Sequence, residues 1–336
     1  MPTEPHIQAE HHTVNPPTLC IVGPTGAGKT DLAMSLAEYA KSIGLTVELI
    51  SMDSALVYRG LDIGSAKPTR AQQTAVKHHL IDILDPQDSF SAAGFANEAQ
   101  RLCVEIRGCG NIPVVVGGTM LYWRAWVHGL SSLPPANPEI RAQLDEAGKA
   151  LGWPAMHAKL NQIDPATAAR LKPNDSQRVQ RALEVFEITG KPMSSLLAES
   201  PSEDGRTGST IPAWINLVSL EPKDRAQLHI HLEKRFDQML AGGLIEEVAQ
   251  LLQNTALHVD LPAMRSVGYR QVWEYLAGET NLEQMRDKGL AATRQLAKRQ
   301  LTWLRAMAGR SHFDPYNPVE WAAALEHCKQ NLMRWQ

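Results

Sequence analysis

The 336 residues are 43% hydrophobic and 21% charged, the balance of a globular chain and not of a disordered one, and the length suggests two domains or one domain carrying a large insertion. The 33 Lys and Arg against 36 Asp and Glu leave a net charge of −3, so any nucleic-acid surface has to be a local patch and not a global field. Apolar runs such as Ile112 to Val116 are too short to cross a bilayer, and the four cysteines show no Cys-x-x-Cys or Cys/His spacing; neither a membrane partner, a disulfide framework nor a zinc site is expected, and a reduced, cytoplasmic protein is.

Met1 to Pro17 is polar, without the basic start and apolar stretch of a signal peptide, and reads as a loose tail in which the adjacent His11 and His12 are not a metal site. The fold begins at Thr18-Leu-Cys-Ile-Val22, a short apolar run ending in glycine, followed by a helical pattern through Leu32, Leu36 and Tyr39. Val47 to Met52 is predicted as a second strand, His79 to Leu84 as a third, Ala92 to Arg107 as a helix and Ile112 to Val116 as a buried strand ending in Gly117-Gly118. Apolar strands alternating with helices indicate βαβ units and a parallel sheet covered on both faces. From Pro138 to Gly190 only helices are predicted: Glu139 to Leu151, Pro154 to Gln162, Pro165 to Leu171 and Ser176 to Thr189, the last started near Asn174-Asp175 and stopped by Gly190. Pro201 to Gly208 reads as a linker, Trp214 to Leu220 as a returning strand. Helices then follow at about Asp224 to Leu240, broken by Gly242-Gly243, onward to Leu252, at Gln271 to Leu276, and at about Leu282 to Met307. A helical block between strands marks a module inserted into an α/β core.

Gly23, Pro24, Thr25, Gly26, Ala27, Gly28, Lys29 and Thr30 fit G-x-x-x-x-G-K-[ST], between a predicted strand and a predicted helix. Glycines let successive N–H groups wrap phosphate oxygens, the helix start adds its positive end, Lys29 neutralises charge, and the Thr30 hydroxyl can hold Mg²⁺. The motif does not say whose phosphate is bound. No Asn-Lys-x-Asp offers guanine recognition, and Ile112 to Val116 ends in Gly-Gly-Thr where an NTPase often presents an acid. The best-placed acid is Asp53, at the carboxyl end of the second strand. A small-molecule kinase or NTPase, a non-catalytic P-loop RNA-binding protein and an enzyme acting on a non-nucleotide diphosphate all remain open on this motif alone.

Gly23-Pro-Thr-x-x-Gly-Lys-Thr30, Asp53-Ser-Ala-Leu-Val-Tyr-Arg-Gly60, Asp62-Ile-Gly-x-Ala-Lys-Pro68, Gly117-Gly-Thr-Met-Leu-Tyr122, Asn174-Asp-x-Gln-Arg178, Val267-Gly-Tyr-Arg-Gln271, Gln295-Leu-Ala-Lys-Arg-Gln300 and Thr302-Trp-Leu-Arg305 occur in one order. This ordered set closely resembles the bacterial tRNA dimethylallyltransferases of the IPP transferase family, from about Leu19 to Arg305. It departs at Gly26-Ala27, where the family often has Ala-Ser, and in a longer N-terminal tail. The resemblance implies an α/β fold, a P-loop NTPase-like parallel sheet flanked by helices, with an inserted all-helical domain. Its expected boundaries are a tail at 1–17, a catalytic core at 18–130 and 210–315, a tRNA-contacting insertion at 131–200, and a C-terminal tail or helix at 316–336. It implies Mg²⁺-dependent transfer of a dimethylallyl group from dimethylallyl diphosphate to the adenine beside the anticodon, by a monomer that grips a tRNA anticodon stem-loop between core and insert.

By the same resemblance Asp53 is the base for the amine, Arg235 clamps the diphosphate, and Thr119 contacts the target nucleotide; read alone, Arg235 is a solvated charge between Glu233 and Asp237. The implied tRNA contacts are Asp53, Ser54, Ala55, Leu56, Thr119, Arg141, Gln177, Arg178, Val179, Gln180, Arg181, Arg265, Ser266, Val267, Gly268, Tyr269, Arg270, Arg294 and Lys298. Helical spacing sets Arg294, Lys298 and Arg305 on one face, and leaves Gln177, Arg178 and Arg181 to reach outward while Val179, Leu183 and Phe186 pack. Asp82, within an apolar run, reads as a buried paired acid or a metal contact. His229 and His231 face opposite ways on a helix, and neither reads as a ligand.

Overall fold

The computed structural model describes residues 17–129, 133–198 and 210–334. Apart from Pro17, the tail expected at Met1 to Pro17 and the linker expected at Pro201 to Gly208 lie outside the described residues. Those described fall into two compact units, split at 128/129 and 205/206.

In the first unit β1 (Thr18–Val22), α1 (Lys29–Ser42), β2 (Val47–Met52), α2 (Arg70–Ala75), β3 (His78–His79), α3 (Ala92–Gly108), β4 (Ile112–Gly117) and α4 (Met120–His128) precede the insertion. The insertion carries α5 (Pro138–Leu151), α6 (Trp153–Ile163), α7 (Pro165–Ala168), α8 (Ser176–Thr189) and α9 (Met193–Ala198). The first unit resumes with β5 (Ile215–Leu220), α10 (Arg225–Ala241), α11 (Leu244–Leu251), α12 (Tyr269–Leu276), α13 (Leu282–Ala306), β6 (Ser311–Phe313) and α14 (Pro318–Met333). All six strands are parallel, in the order β3-β2-β4-β1-β5-β6. Among the described residues no helix is long and apolar enough to cross a membrane.

Because side chains alternate along a strand, the apolar runs feed both faces of the sheet. Cys20, Val22, Ile50, Met52 and Val115 pack under Phe95, Leu102 and Ile106 of α3 and Trp123 of α4. Leu19, Ile21, Leu49 and Val114 pack on Leu32 and Leu36 of α1 and on Ala324, Cys328 and Leu332 of α14. The carboxyl ends of β1, β2, β4 and β5 are thereby left to carry loops. Covering of both faces is why these strands read as continuous apolar runs.

Two expectations are corrected. The third strand stops at His79 and does not run to Leu84, since Leu80 and Asp82 take left-handed φ values of 61° and 55°, which no ladder accommodates. The amides of Asp82 and Ile83 bond instead to the carbonyls of Leu56 and Val57. Asp82 is thus in a turn and not inside a strand, paired with the Lys67 ammonium. Finally, the core does not end its sheet at β5: β6 extends it within the expected core, and of the tail or helix expected at 316–336 the described residues form the helix α14, which packs on one face of that sheet.

Inside the insertion the 3.6-residue pattern holds for α5, α6 and α8, whose Leu144, Met156, Leu160, Val179, Ala182 and Leu183 form its core. Asp175 caps α8 by accepting the Arg178 amide, and Gly190 ends it at φ 67°. Helix α7 stops at Ala168, short of the predicted Leu171, and α9 was not foreseen.

Candidate active site

Strand β1 delivers the chain into Gly23, and the turn back into α1 requires φ of 79° at Gly26 and 72° at Gly28, values open to glycine at no steric cost. Gly28 is also the residue before the first turn of α1, so Lys29 and Thr30 lie where a helix start favours negative charge. The Lys29 ammonium donates to Pro24 O at 2.8 Å. Burial lowers its pKa to about 8; Asp53 pulls the other way, while Arg235 adds to the depression. Two loop amides are not free for phosphate: Thr25 N donates to Gln300 Oε1 at 2.8 Å and Ala27 N to Pro24 O at 3.3 Å. The Tyr316 hydroxyl donates to Gly26 O at 3.1 Å, and its ring stacks on His231 with centroids 4.0 Å apart.

Asp53 follows the end of β2, and its Oδ1 accepts the Ala55 amide at 2.8 Å; the carboxylate caps its turn and lies near enough to Lys29 and Arg235 to act on the charge of both. Thr119 follows the end of β4, and its Oγ1 accepts the Ser54 amide at 3.1 Å. What brings these ends together is Gly117, where a Cβ would stand 2.1 Å from Met52 O; the amides of Gly118 and Thr119 then donate to that same carbonyl, each at 3.2 Å. Arg235 is not the solvated charge its neighbours suggest. Burial lowers its pKa, opposed by Asp53 and then Asp31, while Glu233 and Asp237 are drawn off by Arg286 at 2.9 and 2.7 Å. Lys29, Asp53, Thr119, Arg235 and the glycine loop therefore form one constellation at the carboxyl edge of the sheet.

Thr30 starts α1 beside Lys29. Among the described residues no group of three His, Cys, Asp or Glu side chains could hold a metal. Thr30 leaves one hydroxyl oxygen at the loop, a hard donor of the kind that substrate phosphates and water can complete into a divalent-cation site.

The expected tRNA contacts divide. Gln177 is exposed, and Arg178 is 70% exposed beside its cap partner Asp175. Val179 is fully buried in the insertion's core, which corrects its assignment. Arg141 and Arg181 do not simply reach outward: both bind Glu184, at 2.9 and 2.6 Å, a carboxylate with no exposed surface. Gln180 donates to Arg141 O and Asp145. In the first unit Tyr269 is corrected in the same way, being fully buried and donating to Glu247 at 2.5 Å, with Gly268 buried before it. Ser54 is exposed, and Ala55, Leu56, Ser266 and Val267 are half-buried. Arg265 and Arg270 lean on Asp260 and Glu274, and Arg294 on Glu233. Lys298, Arg299 and Arg305 are exposed and form no ion pair among the described residues.

Two residues at the loop escaped the sequence reading. Gln300 carried a signal, a polar side chain on the same face of α13 as the buried Ala297, Leu301 and Leu304. Tyr316 carried none, since it follows β6 in an irregular stretch.

A parallel, doubly wound sheet whose first strand runs through a glycine-rich cradle into a helix defines a phosphate-binding-loop α/β protein. The family model for IPP transferase matches residues 56–307. The chain is 75% identical over 333 residues to the tRNA dimethylallyltransferase of Polynucleobacter asymbioticus, covering 99% of this chain and 100% of that one. It is 51% identical to the tRNA dimethylallyltransferase of Cupriavidus necator, over 95% and 96% of the two chains. Among solved structures it is similar to the tRNA isopentenylpyrophosphate transferase of Bacillus halodurans, at 35% identity and a TM-score of 0.62 over 96% of this chain and 100% of the other. The chain belongs to the IPP transferase family.

Proposed function

We propose that this chain transfers the dimethylallyl group of dimethylallyl diphosphate to the exocyclic N6 amine of the adenine on the 3′ side of the tRNA anticodon, position 37, releasing diphosphate. Family membership supports the reaction class. The observation that carries the residue roles is the meeting of the Asp53 carboxylate and the Thr119 hydroxyl at adjoining strand ends, with Lys29 and Arg235 near enough for Asp53 to alter their titration.

The adenine amine is a weak nucleophile, because its lone pair is delocalised into the ring. As its bond to the allylic carbon forms and the carbon–oxygen bond to diphosphate breaks, Asp53 takes the amine proton, a contribution of roughly 10²–10⁴-fold. Lys29, Arg235 and the remaining loop amides hold the diphosphate, whose charge grows as it leaves, and so favour the transition state over the ground state. Thr30 is the residue to hold Mg²⁺, which when bound supplies further neutralisation of that leaving group. Thr119 orients the base, which has to be unstacked from the loop to be reached. The exposed cations Lys298, Arg299, Arg305 and Arg178 are offered to tRNA phosphates. An NTPase is disfavoured by the β4 end, where Gly117, Gly118 and Thr119 present no acid to an attacking water.

Labelled dimethylallyl diphosphate incubated with protein and tRNA tests the proposal. Label should enter tRNA, and Asp53→Ala should lose roughly 10²–10⁴-fold in rate with tRNA affinity retained. ATP turnover without label transfer refutes the reaction, and full activity of the variant refutes the role of Asp53.

A further inference from the structure

Gln300 sits at the junction of the two loops on which the reaction depends. Its Oε1 accepts the Thr25 amide at 2.8 Å, across 275 residues of sequence, and its Nε2 donates to Gly118 O at 3.0 Å, across 182. Because one partner is only a donor and the other only an acceptor, the orientation of the amide is fixed by its surroundings. The residue is 9% exposed. The helix turn that carries it is anchored, with Ala297 and Leu301 packed on Leu228 and Leu232 of α10, the helix that bears Arg235. Leu232 in turn lies where a Cβ at Gly26 would meet it at 2.9 Å.

We propose that Gln300 is a positioning residue that sets the spacing between the diphosphate loop and the turn carrying Thr119, an inference that rests on the transfer reaction given above. From Thr25 the hydrogen-bonded path runs through the Gln300 amide to Gly118, next to Thr119, whose hydroxyl accepts the Ser54 amide beside Asp53. One end of this path holds the leaving group and the other holds the nucleophile and its base. Transfer requires the allylic carbon and the amine to be brought to about 3–3.5 Å in line, and a drift of about 1 Å costs on the order of 10²-fold in rate. Only a carboxamide of this length serves both partners. Glu has no hydrogen for Gly118 O, Asn is a methylene short, and Met offers neither group.

Gln300→Met should lower kcat, measured with both substrates saturating, by about 10²-fold, leave the Kd for tRNA within about twofold, and raise the KM for dimethylallyl diphosphate by only a few fold. A purely structural amide would instead lower the melting temperature while kcat per folded molecule stayed unchanged. Gly118→Ala is the second variant. Its Cβ would stand 2.6 Å from Gln300 Nε2 and 2.9 Å from Gly23 O, so it displaces the same linkage from the other side and should show the same loss in kcat. Wild-type protein without label transfer overturns the reaction itself. Active wild type, with folded Gln300→Met or Gly118→Ala retaining kcat within about threefold, overturns the positioning role alone.

Discussion

Replacing Lys29 by Met should destabilise catalysis but stabilise the empty protein, in a manner that depends on pH. Burial and the nearby Arg235 lower the pKa of this ammonium from its ordinary 10.5 to about 8, with Asp53 opposing. The folded state therefore binds the Lys29 proton less tightly than the unfolded chain does. Below about 8 both states are protonated and the penalty is complete, roughly 3 kcal/mol; as pH rises towards 10.5 the folded state sheds its proton and the penalty fades, to roughly 1.5 kcal/mol at about pH 9.5. Against this gain Lys29→Met loses the hydrogen bond to Pro24 O, about 1 kcal/mol at any pH. The variant without substrates should thus exceed wild type by about 1–2 kcal/mol at pH 7, and the difference should fall by about 2 kcal/mol by about pH 9.5. Urea denaturation at the two pH values measures both numbers. A difference that does not change with pH refutes the reasoning, because it leaves no place for a displaced proton. Such sacrifice of stability at a ligand site is common, and here the bound diphosphate would restore the ammonium's charge.

Three further outcomes follow from packing and charge. Gly289→Ala should lower stability by about 1–2 kcal/mol in a thermal melt although alanine favours helices, because its Cβ would stand 2.2 Å from Phe236 Cζ; a rise in melting temperature contradicts this. Glu184→Gln should cost about 1.5–3 kcal/mol at neutral pH by removing the charge-assisted hydrogen bonds from Arg141 and Arg181. Burial pushes the Glu184 carboxyl up, but its hydrogen bonds from Arg141, Arg181 and the Asn137 amide outweigh it, and the net shift is downward from 4.5; the wild-type advantage should therefore be full above that value and vanish as pH falls through the lower, folded one, and an advantage that persists in strong acid refutes the pairing. Lys298→Glu with Arg305→Glu should weaken tRNA binding and flatten its salt dependence by about two counterions, leaving thermal stability unchanged; an unaltered slope removes these cations from the interface.

The phosphate loop was legible because its backbone conformation demands glycine at fixed offsets, and Gly26 and Gly28 do take left-handed φ. The place of Asp53 at the carboxyl end of β2 was legible from the apolar run before it, whereas its role came from the resemblance, since an acid there is often only the turn cap that Asp53 also is. The helices of the insertion were legible through periodicity, which α8 follows from Ser176 to Thr189. What could not be read was the destination of long charged side chains. Arg235 is flanked in sequence by the acids that should solvate it, yet these belong to Arg286, 49 and 53 residues away. Helical spacing turned Arg181 outward, and the resemblance made Arg141 a tRNA contact, but neither shows that both bind Glu184, whose carboxylate is buried. The third strand misled for a local reason, since nothing in an apolar run announces that Leu80 and Asp82 turn left-handed.

The bond from Tyr316 to the Gly26 carbonyl spans 290 residues, and this has a consequence for synthesis. At about 5–20 residues per second the ribosome needs on the order of tens of seconds to traverse that interval. Throughout it a nascent β1 and its cradle can exist, but the tyrosine that braces them does not. Anion affinity gained by the emerging polypeptide should accordingly follow the emergence of this tyrosine, and not the moment the glycine motif leaves the exit tunnel.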